Sequence, residues 1–147
     1  MGWLIAGLFA STFAAIVLGV HALQRDSARL ALLALRHAAA QFDLQQASRI
    51  GWSGARVFCG TARGFDLRWT LTPQRVGRVI KVSVSHTNLT GRRLSPASRA
   101  EFPIGAELTL DKGVLTLTFK DTLGDDASEL VPSTTRLLAL ATRLCDD

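Results

Sequence analysis

An uncharged, mostly apolar run near the N-terminus constrains this chain more than any other feature. Residues 3–23 contain no Asp, Glu, Lys or Arg, and the first charged residue after them is Arg25. As an α-helix they would extend about 31 Å, close to the hydrocarbon thickness of a bilayer. The run has no polar side, and Trp3 lies at one end, where an aromatic side chain prefers the membrane interface. We therefore predict a transmembrane anchor over residues 1–24.

Two other interpretations of this run stay open. Val20 and Ala22 stand three and one residues before a cut that would suit signal peptidase. Against a cleaved signal, no Lys or Arg precedes the apolar run, and the run is longer than a usual signal core. The third interpretation is a helix buried in a soluble core. A cleaved signal would make the remainder a periplasmic or secreted module.

The charges that follow the run predict its orientation. Arg25, Arg29 and Arg36 come directly after it, and only Asp26 opposes them. The positive-inside rule then places the C-terminal part in the cytoplasm, with the periplasm as the alternative. The net charge is +5, and Arg outnumbers Lys, as is usual for a GC-rich bacterial genome. We expect a bacterial inner-membrane protein whose basic flank contacts anionic lipid, and we expect no nucleic-acid partner.

Small residues recur every four positions within the predicted anchor. They are Gly7, Ser11, Ala15 and Gly19. Such spacing allows two membrane helices to approach closely, so it predicts helix packing through self-association or with other membrane subunits.

A second helix is predicted over residues 26–49, within a membrane-proximal segment 25–50, because no Gly or Pro interrupts the chain there. Its apolar residues recur at steps of three and four and predict one core-facing stripe. The members of that stripe are Leu30, Leu33, His37, Ala40 and Leu44. On this interpretation His37 is a core histidine.

Alternation takes over in the remaining segment, 51–147. It is clear in GFDLRWTLT (64–72), RVIKVSVSH (78–86) and AELTLDKGVLTLTF (106–119), where Asp111-Lys112-Gly113 forms a turn with Gly113 at a positive φ. ARVFC (55–59) is a candidate for a shorter first strand, joined to the next through GTARG. The pattern predicts an antiparallel meander of four or five strands with one buried face, which places Phe65 and Trp69 in the core. Helices 26–49 and 126–145 are the candidate covers, giving an α+β domain. Pro132 should start or kink the second, with Asp125 or Ser133 as its cap.

The segment 86–105 is long, basic and contains Gly and Pro. It predicts a loop in which Arg92, Arg93 and Arg99 are candidate contacts for an anionic partner, although a solvated loop is the simpler interpretation.

Residues that carry chemistry do not form a known constellation in the sequence. It contains no phosphate-binding loop, HExxH, CxxC or G-x-S-x-G motif, and its three histidines are scattered. Cys59 and Cys145 lack metal-ligand spacing and predict core or near-core free thiols, while a bridge between them stays open for a domain outside the cytoplasm. His86 could lie across the sheet from Cys59. We expect a non-catalytic protein without a metal or cofactor.

Four stretches carry a family resemblance: GTARGFDLRWTLT, VIKVSVSHTNLTGRRLSP, GAELTLDKGVLTLTF and LLALATRL. Across residues 51–145 the chain resembles bacterial single-span membrane proteins, particularly those of myxobacteria. These have a short hydrophobic N-terminus, an Arg-Gly strand opening and a closing Leu/Ala-rich helix. Ala62 stands where such proteins usually carry an aromatic residue. The resemblance implies an anchored α+β domain and implies no activity.

These observations predict a membrane-anchored accessory, structural or adaptor subunit of a bacterial membrane assembly. The alternatives are a membrane-tethered sensor or ligand-binding domain that uses the apolar sheet face and loop 86–105, and a periplasmic module.

Overall fold

The computed structural model describes residues 15–20, 30, 32–47, 54–74, 77–121 and 128–146. We label the elements in chain order. They are α1 (residues 32–40), β1 (Gln45–Gln46), β2 (Arg56–Ala62), β3 (Phe65–Pro73), β4 (Arg78–Ser85), a 3₁₀ turn (Thr87–Leu89), α2 (Pro96–Ala100), β5 (Glu107–Asp111), β6 (Val114–Asp121) and α3 (Leu130–Asp146).

The predicted anchor over 1–24 lies mostly outside the described residues. Within it, residues 15–20 are described and are helical, as is residue 30 further along. No helix in the described ranges is both long and apolar enough to cross a membrane.

The strands form one six-stranded antiparallel sheet in the order β1-β2-β3-β4-β6-β5. An antiparallel sheet with a C-terminal helix confirms the predicted α+β class. The predicted four- to five-stranded meander is wrong in two respects. β1 is an additional strand, and β5 lies at the sheet edge beyond β6. In the sheet β6 therefore lies between β4 and β5. The segment 86–106 connects β4 to β5 and crosses over the position of β6.

One face of the sheet, which we call the apolar face, forms the core. Its alternate residues are almost completely buried: Phe58, Phe65, Leu67, Trp69, Leu71, Ile80, Val82, Val84, Leu108, Leu115 and Leu117. Trp69 lies at the centre and meets Phe58 and Phe42 edge to face, with ring centroids 6.3 and 5.8 Å apart. These geometries are favourable for aromatic pairs. The prediction that Phe65 and Trp69 are buried is confirmed.

Helices from opposite ends of the chain cover this face, as predicted. Both α1 and α3 contribute buried residues to the same cluster as the strands. From α1 these are Leu35, Ala38 and Ala39, and from α3 they are Leu130, Leu137, Leu138, Leu140 and Ala141. An antiparallel sheet of this kind needs such a cover on its apolar side.

The predicted stripe on the first helix is wrong in its phase. Leu30, Leu33, His37 and Ala40 are exposed, and only Leu44 of that set is buried. The residues that face the sheet are Leu35, Ala38 and Ala39, with partly buried Phe42. Leucine and alanine occur on several sides of this helix, so spacing alone could not identify the buried side. Packing against Trp69 identifies it.

The first helix also ends earlier than its predicted range, 26–49. Asp43 has a positive φ of 54°, a conformation that ends the helix. The Leu44 N–H donates to the Ala39 carbonyl at 3.0 Å and the Asp43 N–H to the Ala40 carbonyl at 3.3 Å. This is the hydrogen-bond pattern of a Schellman motif, with buried Leu44 packing back on the helix. The chain then extends as β1, which was predicted to be helical.

Two tight turns close hairpins in the way the sequence predicts. Lys112 and Gly113, between β5 and β6, have φ of 48° and 79°. Arg63 and Gly64 between β2 and β3 repeat the arrangement with 52° and 83°. Two-residue hairpin loops of type I′ require a positive φ at both positions. The predicted positive φ at Gly113 is confirmed.

The start of α3 differs in detail from the prediction. Pro132 lies in the first turn, where its missing N–H costs little. Ser133 is inside the helix and fully buried, so the predicted cap at Ser133 is wrong, and Asp125 lies outside the described residues. The Ser133 hydroxyl has no hydrogen-bond partner among the described residues. Its neighbour Thr134 donates to the Leu130 carbonyl at 2.7 Å.

We expect Ser133→Ala to raise the free energy of unfolding by about 1 kcal/mol, because it removes a buried hydroxyl that is desolvated without a hydrogen bond. Urea denaturation followed by tryptophan fluorescence measures the change. The matched control is Thr134→Val, which removes a bonded hydroxyl of the same turn and should not stabilise. Equal effects of the two substitutions would contradict this explanation.

Gly60 marks the point where the end of α1 meets the sheet. A Cβ at Gly60 would lie 2.7 Å from the Asp43 carbonyl oxygen and 3.2 Å from the Leu44 Cα. We expect Gly60→Ala to lower the free energy of unfolding by about 1–3 kcal/mol, since backbone atoms would have to move. The same denaturation experiment tests this, with Thr61→Ala on the exposed side as the control. Equal stability of Gly60→Ala and the unsubstituted protein would show that the turn at Asp43 and Leu44 can move away at no cost.

Candidate functional site

The second face of the sheet, which we call the open face, is mostly polar, and its apolar members are Val57, Val79 and Val114. The period of two along each strand that buries the apolar residues turns hydroxyl and charged side chains to this side. Its members include Thr61, Asp66, Arg68, Thr70, Lys81, Ser83, Ser85, Thr109, Thr116 and Thr118. They are exposed or half-buried. The covering helices α1 and α3 contribute to the other face, so this surface can meet a partner or ligand.

A shallow depression of about 590 Å³ lies on the open face. Its polar lining comes from three adjacent strands: Cys59, Thr61, Asp66, Arg68, Ser83 and Ser85. Register places Cys59 opposite Arg68 and Arg68 opposite Ser83. The Ser83 and Thr116 hydroxyls share a hydrogen bond of 3.2 Å across β4 and β6.

These groups can bind a small polar molecule by hydrogen bonds. Arg68 is exposed, and no carboxylate among the described residues pairs with it. A guanidinium with free N–H groups suits a carboxylate or phosphate. Within the described residues, no three His, Cys, Asp or Glu side chains group closely enough to hold a metal ion.

Cys59 and His86 do not form a reactive pair. Cys59 is exposed on the open face, whereas His86 packs edge to face against Phe65 of the core, with ring centroids 5.2 Å apart. The His86 Nδ1 also accepts a hydrogen bond of 3.1 Å from the Asn88 N–H. The imidazole therefore caps the 3₁₀ turn, and the sheet separates it from the thiol.

The two cysteines are free thiols. Cys145 is partly buried and packs against the core from α3, as predicted. The prediction that Cys59 is a core or near-core thiol is wrong, because alternation along β2 turns its side chain to the open face. The sheet lies between the two thiols, which prevents a bridge in this fold.

The predicted loop 86–105 is more ordered than its composition indicates. It contains the 3₁₀ turn and α2, and buried Leu89 and Phe102 attach it to the core. Arg93 and Arg99 are exposed, and Arg92 is half-buried. The three candidate arginines thus share one surface segment with two exposed side chains. They do not line any of the three described cavities.

The nearest carboxylate along the chain is already paired. Glu101 accepts from the Arg143 Nη2 at 2.6 and 2.9 Å and so connects the end of α2 with α3. Both side chains are about half exposed, so the pair contributes little to stability.

Residues predicted for the membrane interface or helix packing fall into two groups. Those outside the described residues are Trp3, Gly7, Ser11, Arg25 and Arg29. Arg36 is described, and its Nη2 donates to the Gln46 Oε1 at 3.3 Å, which joins α1 to β1. Ala15 and Gly19 are exposed in the helical segment 15–20, and no described residue lies within 4 Å of a Cβ built on Gly19.

Exposed apolar side chains are concentrated before and on α1. In the segment 15–20 the exposed fractions are 59% for Ile16, 48% for Val17, 69% for Leu18 and 49% for Val20. Leu30 and Leu33 follow with 66% and 59%. The sequence predicts the last two in the core, whereas the structure exposes them.

Comparisons of the chain with protein-family models, with curated proteins and with solved structures found no significant match. The functional interpretation therefore depends on the residues and their geometry.

The exposure of the two cysteines leads to a chemical prediction. We expect a bulky maleimide to modify Cys59 in the native protein much faster than Cys145, because Cys59 is exposed and Cys145 is partly buried. Mass spectrometry of peptides after a short reaction measures both rates. Cys145→Ala should leave the fast phase unchanged and Cys59→Ser should remove it. A fast phase that survives Cys59→Ser would contradict the assignment of the open face.

Proposed function

We propose that this chain is a membrane-anchored, non-catalytic accessory or adaptor subunit of a bacterial membrane assembly. The observation that carries the proposal is the exposure of Ile16, Val17, Leu18 and Val20 in a helical segment. These residues belong to the uncharged run 3–23, whose length matches a bilayer. A lipid environment would bury apolar side chains that are otherwise left in water.

The remainder of the chain supports a binding role better than a catalytic one. The α+β domain buries its apolar sheet face under its own helices and leaves a polar face for contact. The Cys59 thiol and the His86 imidazole lie on opposite faces of the sheet. The resemblance to single-span bacterial membrane proteins agrees with an anchored domain of this kind, and the basic flank favours a cytoplasmic location.

A ligand-binding or sensor role is the second candidate, and the depression around Arg68 favours it. The original basis for that role, an available apolar sheet face, is wrong because α1 and α3 cover that face. A ligand would instead be small, polar and anionic, held by Arg68 and the neighbouring hydroxyls of Ser83 and Ser85. A periplasmic module would follow from cleavage before Leu23.

The anchor can be tested by extraction of bacterial membranes at alkaline pH. We expect the full chain to stay in the membrane pellet with its N-terminus at Met1. Val17→Arg should reduce the retained fraction severalfold, since a charge inside a span is costly and reaches about 2.5–3.5 kcal/mol at its centre on insertion scales. Val17→Ala is the matched control and should be retained.

Two results would overturn the proposal. A mature protein that begins at Leu23 would show that the run is a cleaved signal. Mild-detergent extraction that yields only monomers would contradict the subunit role. A reporter fused after Asp147 that is active only in the periplasm would leave the anchor in place and reverse its orientation.

A further inference from the structure

Two depressions on the open face are joined along one row of the sheet. The depression around Arg68 shares Asp66, Ser85 and Val114 with a smaller one of about 260 Å³ beside the β5–β6 turn. Register places these three residues side by side on β3, β4 and β6. The row therefore lies between the two depressions and lines both of them. We call the two depressions together with this row the joined groove.

The larger depression contains two opposite charges that do not pair. Asp66 and Arg68 are exposed on the same side of β3, two residues apart. Neither side chain forms an ion pair or a hydrogen bond with another described residue. Successive side chains on one side of a strand are about 6.6–6.8 Å apart, so one small molecule can contact both. The groove therefore offers a carboxylate and a guanidinium to the same ligand.

The Asp66 carboxylate disfavours a ligand that carries only negative charge. A carboxylate or phosphate bound at Arg68 would lie close to Asp66, and like charges at such a separation repel each other. An ammonium group on the same ligand would turn this repulsion into attraction. A zwitterion thus fits the pair better than a simple anion does.

The smaller depression indicates what else the ligand carries. Its lining includes the Lys112 ammonium and the hydroxyls of Thr87 and Thr90, and all three side chains are exposed. Half-buried Val114 offers an apolar surface between this end and the guanidinium. Asp111 is the neighbour of Val114 in the row but lines neither depression. An acidic side chain suits this end, because its methylenes can cross the valine and its carboxylate can accept from the ammonium.

We propose that the joined groove binds a free α-amino acid with an acidic side chain. Its α-carboxylate lies at Arg68 and Ser83, its α-ammonium at Asp66, and its side-chain carboxylate at Lys112. The three charged residues of the groove leave one positive charge, and such an amino acid carries one negative charge at neutral pH. The proposal rests on the ligand-binding role given above as the second candidate, and it replaces the simple anion of that role by a zwitterion.

Titration of the isotope-labelled full chain in mild detergent, followed by NMR in phosphate-free buffer, tests the groove. We expect L-glutamate to shift the amide signals of Asp66, Ser85 and Val114 with a dissociation constant on the order of 1 mM, because exposed charge contacts contribute little each. Glutarate lacks the ammonium group and L-glutamine lacks the side-chain carboxylate. Each of these two probes should bind about fivefold more weakly than L-glutamate.

Three substitutions connect each charge of the groove with one part of the ligand. Asp66→Asn should weaken L-glutamate about fivefold and should not weaken glutarate, whereas Arg68→Gln should weaken both. Lys112→Asn should weaken L-glutamate and not L-glutamine, and asparagine tolerates the positive φ of 48° at this position. Lys81→Gln is the matched control, since Lys81 is exposed on the same face and lines neither depression. All four positions are exposed, so the unfolding midpoint should stay unchanged.

The outcomes distinguish the amino-acid site from the ligand-binding role itself. If glutarate and inorganic phosphate bind as tightly as L-glutamate and Arg68→Gln weakens all three, the open face binds anions and the amino-acid site is wrong. Equal weakening of glutarate and L-glutamate by Asp66→Asn would also overturn the proposal. If no probe shifts an open-face signal at about twenty times the expected dissociation constant, the site and the ligand-binding role are both wrong. The membrane anchor is judged separately, by retention of the chain.

Discussion

The structure depends on one requirement: the apolar face of the sheet must be covered by other elements. The strands bury Trp69, Phe58 and the aliphatic residues around them on a single side, and that side is too large to be left in water. Helices from the two ends of the chain meet this requirement together. The sheet therefore cannot be considered complete without α1, whose turn at Leu44 packs directly on Gly60 of β2.

The sheet depends on α1 for part of its cover, so the position of α1 is important for the whole domain. The same short helix supplies Leu35, Ala38 and Ala39 to the core and presents Leu33 outward. A Schellman turn at its C-terminal end and the Arg36–Gln46 hydrogen bond fix it relative to β1. The outward side of α1 is therefore held in a fixed position relative to the sheet.

The sequence predicted the strands well because their information is local. Alternation in β3, β4, β5 and β6 identifies both the extended conformation and the buried side. The glycine in Lys112-Gly113 indicates a tight turn with a positive φ, which the structure has. The placement of β5 beyond β6 could not be predicted, because hydrogen-bond pairing between distant segments leaves no local pattern. β1 was missed because two glutamines after a helical pattern carry neither alternation nor β-branched residues.

The error in the phase of α1 has a different physical origin. A helix with Leu and Ala on most of its sides satisfies several stripes at once, and the choice depends on the partner surface. For the candidate site, alternation along β3 and β4 places Arg68, Ser83 and Ser85 on the side of the sheet opposite the core. It did not indicate that three adjacent strands would form a depression there, since curvature of a sheet is a property of the whole assembly.

Separation of the thiol from the imidazole is a consequence of the core rather than an accident of position. A slip of β4 by one residue against β3 would exchange its two sides and bring the other set of side chains to the open face. That slip would bury Lys81 and expose Val82 and Val84, which are completely buried now. The cost of burying an unpaired charge far exceeds any gain from a new contact at Cys59. The register that keeps the apolar face closed therefore also keeps hydroxyl and charged side chains on the open face.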